Sequence, residues 1–332
     1  MPKYGPHIEG IEAQAHRKLC ELGLSPSYVF DAKKHQERFY TVPCKDKRGK
    51  KVIFKMRTED HDETKNSFRR EIGINQLFLR FYERSRKLSV PRFIDGDSEH
   101  VPEWMVYEFI PGCEAGDFYN GLHKDSIKNF PLESLIAGMK NMQKMSAFAA
   151  GEVKLEAQKY EEFEKAYGTY GAVLAPFFSE AQIAQGAEIL RAHRELLDAK
   201  SVAITHGDFH PGNLVITPSG KIAVIDWYYV HLNNMAFDIA FLCLEIADKK
   251  FRKKVLEKFM AEMVDDEAEF RRLLRLDILR LAPQKINVLR DALYIAKPKK
   301  KDYYDKLTPR GIAKLETNLE AFAQALAGED SW

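Results

Sequence analysis

The sequence predicts an α+β protein in two parts: a strand-rich first third carrying one long helix, then a mainly helical remainder. Three observations predict it. β-branched and aromatic residues cluster in short runs between polar turns as far as residue 110, and apolar residues recur at helical spacing from Leu132 onward. Pro111-Gly112 separates the two regimes. The implied division is a strand-rich N-terminal lobe over residues 1–110 and a helical C-terminal lobe over residues 111–332. With 332 residues, 45% of them hydrophobic, the chain can build a core in each part.

Charge and cysteine usage exclude some functions. The 51 Lys and Arg nearly cancel the 49 Asp and Glu, and a net charge of +2 argues neither for a nucleic-acid binder nor for a protein held on an anionic membrane. The basic clusters at residues 45–51 and 297–301 read as solvated loops. Cys20, Cys44, Cys113 and Cys243 are far apart and form no metal-ligand spacing, which fits a reducing cytoplasm. No apolar run approaches the roughly 18 residues of a membrane span, and the first residues lack the apolar core of a signal peptide. A cytoplasmic protein with neither membrane nor nucleic-acid partner is expected.

In chain order, residues 7–24 read as a helix that lids the sheet. Strands are expected at 28–30, 38–42 and 51–56, with a hairpin turn at Lys47-Arg48-Gly49-Lys50. The strand Val52-Ile53-Phe54-Lys55-Met56 places one lysine in an apolar run. Lys is rarely buried alone, so Lys55 either points to solvent at an edge or has an anion waiting for it. A long helix follows from about residue 62 to 84, with Phe68, Ile72, Leu77, Phe78 and Phe81 on its packed side and Glu71 beside that face. A strand lysine oriented by a helix glutamate is how kinase-type sites hold the α- and β-phosphates of a nucleotide; a surface salt bridge is the plainer reading of Glu71. Two further strands, 90–95 and 103–110, complete a five-stranded antiparallel sheet. At the hinge after them, the Glu108 carbonyl and the Ile110 amide are the candidates for holding an adenine ring. The turn Ala32-Lys33-Lys34-His35-Gln36-Glu37, where such folds commonly cover the phosphates, has no glycine.

The remainder predicts helices over 132–149, 155–166, 179–197, 250–263, 268–281 and 308–326. Between them lies Thr205-His206-Gly207-Asp208-Phe209-His210-Pro211-Gly212-Asn213, then a hairpin around Pro218-Ser219-Gly220 that ends in Ile225-Asp226-Trp227. The hairpin is expected to return Asp226 beside the 208–213 loop, so that three oxygen ligands converge. Phosphoryl transfer requires positioning more than covalent chemistry. Asp208 would accept or orient the acceptor's proton, while Asp226 and Asn213 would each hold a Mg²⁺ ion. His206 would buttress the loop. Any one of these could be a turn residue; all five, including Lys55 and Glu71, in this order are hard to read so.

The motifs His206-Gly207-Asp208-Phe209-His210-Pro211-Gly212-Asn213 and Val224-Ile225-Asp226-Trp227 resemble those of the aminoglycoside phosphotransferase and choline kinase superfamily. The resemblance extends to Val90-Pro91, Tyr107-Glu108-Phe109-Ile110-Pro111-Gly112 and Phe237-Asp238-Ile239-Ala240. It implies a bilobal protein-kinase-like fold and transfer of the γ-phosphate of Mg-bound ATP to a hydroxyl of a small molecule. It also implies that Asp238 braces the catalytic loop. His210 stands where protein kinases place a lysine, and only 12 positions separate Asp226 from Asp238, too few for a peptide-presenting segment. Amino alcohols, aminoglycosides and sugars all stay open as acceptors, with Glu245 similar to an acidic residue that serves the amine in choline and ethanolamine kinases. The rival reading is a nucleotide-binding regulatory protein that has lost catalysis.

Overall fold

Side chains along the third strand alternate between two apolar layers, and that alternation organises the first half of the fold. The computed structural model describes residues 8–27, 38–85, 90–149, 155–294 and 309–328. Its sheet runs antiparallel in the order β1 (Ser25–Pro26), β2 (Phe39–Lys45), β3 (Lys51–Arg57), β5 (Trp104–Glu108), β4 (Phe93–Asp97). Val52, Phe54 and Met56 of β3 pack in one core with Tyr40, Val42 and Trp104 and with Ile11, Ala15 and Leu19 of α1 (Ile11–Leu22). Period-2 alternation turns Lys55 to the opposite face. There Phe68 and Ile72 of α2 (Asp62–Ser85) pack with Phe93 and Met105.

The sheet is five-stranded and antiparallel as expected, and four of its strands and the long helix stand close to where the sequence put them. The expected strand at 28–30 and the glycine-free turn at 32–37 lie outside the described residues; β1 is instead the two-residue Ser25–Pro26, paired with Cys44 and Lys45. Helix α1 starts at Ile11 and not at residue 7, because Gly10 just before it takes a left-handed φ of 64° that a helix cannot include.

The chain folds as two compact units. The first holds the described residues of Met1–Pro111, Phe148–Lys154 and Ala223–Val230; the second holds those of Gly112–Ala147, Leu155–Ile222 and His231–Trp332. The second is mainly helical, as expected. Its helices are Lys124–Lys128, Leu132–Ala149 apart from its last residues, Tyr160–Leu174, Glu180–Ala192, Arg194–Lys200, Phe237–Leu244, Lys249–Met263, Glu267–Tyr294 and Pro309–Ala327. The single helix expected over 179–197 is two. Its start is fixed by a capping box between Ser179 and Gln182. It breaks at His193, whose ring Nδ1 lies 2.8 Å from the Ile189 carbonyl and whose ψ of 16° has left the helical region. The helix expected to end at residue 281 continues through Pro283 to Tyr294.

Short ladders frame the loops of this unit, and two of them flank the loop after Thr205. Ala203–Thr205 pairs antiparallel with His231–Asn233, and Leu214–Ile216 pairs antiparallel with Cys113–Glu114. The turn after Ile216 is closed by the Thr217 amide donating to the Lys221 carbonyl at 2.9 Å, as the predicted hairpin requires. Every residue of Phe237–Leu244 is buried. Among the described residues, no helix is long and apolar enough to cross a membrane.

Candidate active site

Lys55 is buried on the helix-facing side of β3, 4% exposed, so its ammonium must find partners inside the protein. It finds three oxygens. Its Nζ donates to Glu71 Oε1 and Oε2 at 2.9 and 2.8 Å and to Asp226 Oδ1 at 2.7 Å. Glu71 reaches this point because it follows Phe68 by three positions and precedes Ile72, on the edge of the face that α2 packs on the sheet. Burial pushes the Glu71 carboxyl up to about 7, against the pull of Lys55. Burial disfavours the Lys55 ammonium as well, but Asp226, Glu71 and Tyr107 outweigh it and raise its pKa above the ordinary value. Phe39 also stands 4.8 Å from Nζ, with Phe68 and Tyr228 at 5.9 Å, so aromatic faces and carboxylates share one cation. Nothing in the sequence pattern flagged Phe39 or Tyr228 for this place.

Asp226 joins the first unit through the chemistry of its turn. It is the one non-glycine residue with positive φ among the described residues, at 61°, a conformation that costs an L-residue about 1–2 kcal/mol. The next residue anchors it. Trp227 is buried, meets Phe78 of α2 edge-on with ring centroids 4.6 Å apart, and donates its indole N–H to the Val224 carbonyl at 3.2 Å. The Asp226 side chain itself remains 50% exposed.

In the second unit the loop after Thr205 is held from behind by Asp238, near the start of the Phe237–Leu244 helix. Its carboxylate accepts the His206 amide at 2.7 Å and the Gly207 amide at 3.2 Å. The Asp208 amide donates to His206 Nδ1 at 3.2 Å, and the Gly212 amide to His210 Nδ1 at 3.0 Å. Both imidazoles therefore accept at Nδ1, which leaves His210 Nε2 as the N–H directed at Asp208 Oδ2, 3.4 Å away. Asn213, in the 3₁₀ turn Pro211–Asn213, donates its Nδ2 to the Asp208 carbonyl at 2.9 Å. Burial pushes Asp208 up, but the hydrogen bond from His210 and the positive charge of Lys285 prevail and hold it at about 2. At neutral pH it is a carboxylate with side-chain exposure of 23%.

Asp238 carries a pH prediction. Burial pushes its carboxyl up to about 7, although the two backbone donors pull the other way. An acid raised in the fold binds more protons folded than unfolded between about pH 4 and 7, so unfolding releases a proton there. Stability therefore falls as pH rises through that window, by at most ~1.4 kcal/mol per pH unit. Asp238→Asn is expected to flatten this slope in urea denaturation run from pH 4 to 8. An unchanged slope would assign the dependence to other groups.

The donors suit a hard cation. The Asn213 Nδ2 is committed to the Asp208 carbonyl, which marks Oδ1 as the atom a metal would use, and Asp226 offers a half-exposed carboxylate. Among the described residues, no three His, Cys, Asp or Glu side chains gather as a metal site. Mg²⁺ commonly takes only one or two protein oxygens beside phosphate and water, so single donors of this kind fit it.

The remaining sequence candidates are placed as follows. Glu108 is the last residue of β5; its amide donates to the Arg92 carbonyl at 2.9 Å and its carboxylate pairs with Lys50 at 3.1 Å. Ile110 lies beyond the strand, half-buried. Glu245 does not have the surroundings of an amine-binding carboxylate. It is 1% exposed, with Lys285 Nζ 2.9 Å from Oε1 and Lys314 Nζ against Oε2, so both oxygens are neutralised internally.

Comparison with known proteins places the chain in a family and a fold. A model described as the phosphotransferase enzyme family, APH, matches residues 38–274. The chain belongs to this phosphotransferase family. No curated protein sequence matches the phosphotransferase. Solved structures do. APH(2")-IIia, in complex with GDP and kanamycin, superposes with a TM-score of 0.61 at 14% identity, covering 92% of this chain and 98% of that one. The macrolide 2'-phosphotransferase MphH from Brachybacterium faecium gives 0.56 at 15% identity, covering 90% and 97%. The aminoglycoside phosphotransferase APH(4)-Ia, as a thermostable mutant with ADP and hygromycin B, gives 0.53 at 12%, covering 94% and 97%. At such identities the likeness is one of fold, and the fold is kinase-like.

Proposed function

We propose that this phosphotransferase is a small-molecule kinase that moves the γ-phosphate of Mg-bound ATP to a hydroxyl of its acceptor. The observation that carries the reading is Asp208: an ionised, partly exposed carboxylate whose carbonyl accepts from Asn213, whose oxygen faces His210, and which follows directly on the His206 and Gly207 amides held by Asp238. A carboxyl at about 2 is a weak base, so it aligns the hydroxyl and takes its proton only late, as a loose phosphoryl-transfer transition state allows.

The other residues take supporting roles in this proposal. Lys55, oriented by Glu71, holds the α- and β-phosphate oxygens, and the Glu108 carbonyl with the Ile110 amide holds the adenine. Asn213 and Asp226 are the Mg²⁺ ligands. Held there, magnesium would supply positive charge to offset the charge that develops on the phosphates. On the proposed division of labour, residues 1–110 serve the nucleotide and residues 111–332 the acceptor. Proteins of the same fold bind GDP or ADP and carry aminoglycosides or are named for macrolides, which supports a small hydroxylated acceptor.

The test is a coupled ADP-release screen over amino alcohols, aminoglycosides, macrolides and sugars. Turnover of at least one class, abolished by EDTA, is expected. Tight binding of Mg-ATP with no turnover of any class would favour a nucleotide-binding regulatory protein, which the glycine-free segment 32–37 supports. Asp226→Ala is expected to raise the Mg²⁺ concentration needed for half-maximal nucleotide binding at least tenfold; an unchanged titration would remove Asp226 from the metal's ligands.

A further inference from the structure

A buried charge cluster in the second unit has no role in the proposed transfer. Glu245 follows directly on the Phe237–Leu244 helix and is paired with Lys285 of Glu267–Tyr294 and Lys314 of Pro309–Ala327. The lysines are 4% and 2% exposed. Replacing buried ion pairs with apolar residues of similar volume is often neutral or stabilising, so stability alone is a weak account of this cluster. What it does hold is one short turn. Lys314 Nζ donates to the Phe118 carbonyl at 2.6 Å, and the Leu122 amide donates to the Glu245 carbonyl at 3.3 Å. Lys285 Nζ lies 5.5 Å from the Phe118 ring centroid and 3.3 Å from that of Phe241.

Phe118 carries the constraint onward. Its ring meets the His210 imidazole at 78°, with centroids 5.3 Å apart. The Gly212 amide holds that imidazole in its plane at Nδ1, and Phe118 blocks its rotation from the side. His210 Nε2 then faces Asp208 Oδ2. We propose that Phe118, clamped by Glu245, Lys285 and Lys314, is a positioning residue that sets the orientation of Asp208 through His210, with Lys285 as the cation that seats it. This inference rests on the kinase reading, since it assigns Asp208 to catalysis.

The experiment is steady-state ADP release with the best acceptor of the screen, or with water as acceptor, on wild type, Asp208→Ala and two variant pairs. Phe118→Leu is expected to lower kcat at least tenfold with nucleotide KM within about twofold, and Phe118→Tyr, which keeps the ring, to stay within about threefold of wild type. Lys285→Met should behave as Phe118→Leu, Lys285→Arg should recover, and the double variant Phe118→Leu/Lys285→Met should lose no more than either alone, because both act through one contact. If Lys285→Met does not fold, the Phe118 pair, on a half-buried turn, decides. Asp208-dependent turnover that Phe118→Leu leaves unchanged, or a loss that Phe118→Tyr does not restore, overturns this inference alone. Wild-type release no greater than that of Asp208→Ala overturns the kinase reading and the positioning role with it.

Discussion

Asp208→Ala is expected to lower phosphoryl transfer by about 10²–10⁴ while nucleotide affinity stays within about twofold, the range seen when a positioned acid–base group is lost. The separation follows from where the residue's contacts lie. Its carbonyl accepts from Asn213 and its amide donates to His206, and both bonds survive truncation of the side chain. Asp238 goes on holding His206 and Gly207. The loop should therefore keep its shape and lose only the carboxylate that faces the acceptor. Isothermal titration with Mg-ATP beside ADP-release kinetics measures the two quantities; an active variant would remove Asp208 from the chemistry.

Lys55→Met is expected to destabilise the protein by about 3–5 kcal/mol and to remove activity, because it leaves the Glu71 carboxyl buried without its partner. Glu71 is 2% exposed, whereas Asp226 is half in water and can dispense with its lysine. Most of the loss therefore belongs to Glu71. The double variant Lys55→Met/Glu71→Leu, which replaces the pair with apolar groups, should recover most of the stability and none of the activity. Urea denaturation and ADP release on the three proteins check this. Recovery of activity in the double variant would show that Lys55 serves folding alone.

Much of this architecture was legible because its signals are local. Lys55 sits alone in an apolar strand and Glu71 sits on the edge of an apolar helix face, so strand and helix periodicity almost suffice to bring them together. The loop from His206 to Asn213 is one contiguous motif whose spacing states its geometry. The partner of greatest sequence distance was not legible in this way. Asp226 lies 171 positions from Lys55, and its contact depends on a left-handed backbone and on Trp227 finding Phe78. Glu245 shows the same limit from the other side. The resemblance to choline and ethanolamine kinases suggested a carboxylate that serves an amine, but two lysines from helices far along the chain enclose it, and no local pattern announces them. The break at His193 was missed because a side chain competing for a helix carbonyl leaves apolar periodicity intact.

The helix Phe237–Leu244 has no solvent-facing side, and this bears on how the catalytic loop can move. Freeing the His206 and Gly207 amides from Asp238 means disturbing a segment whose eight side chains are all in the core. Such amides exchange their hydrogens with solvent only through large-scale opening. In hydrogen exchange the catalytic loop's first turn thus belongs with the slowest core amides. Whatever closure accompanies turnover, this turn acts as its fixed point, and any motion falls to segments tied down by fewer buried groups.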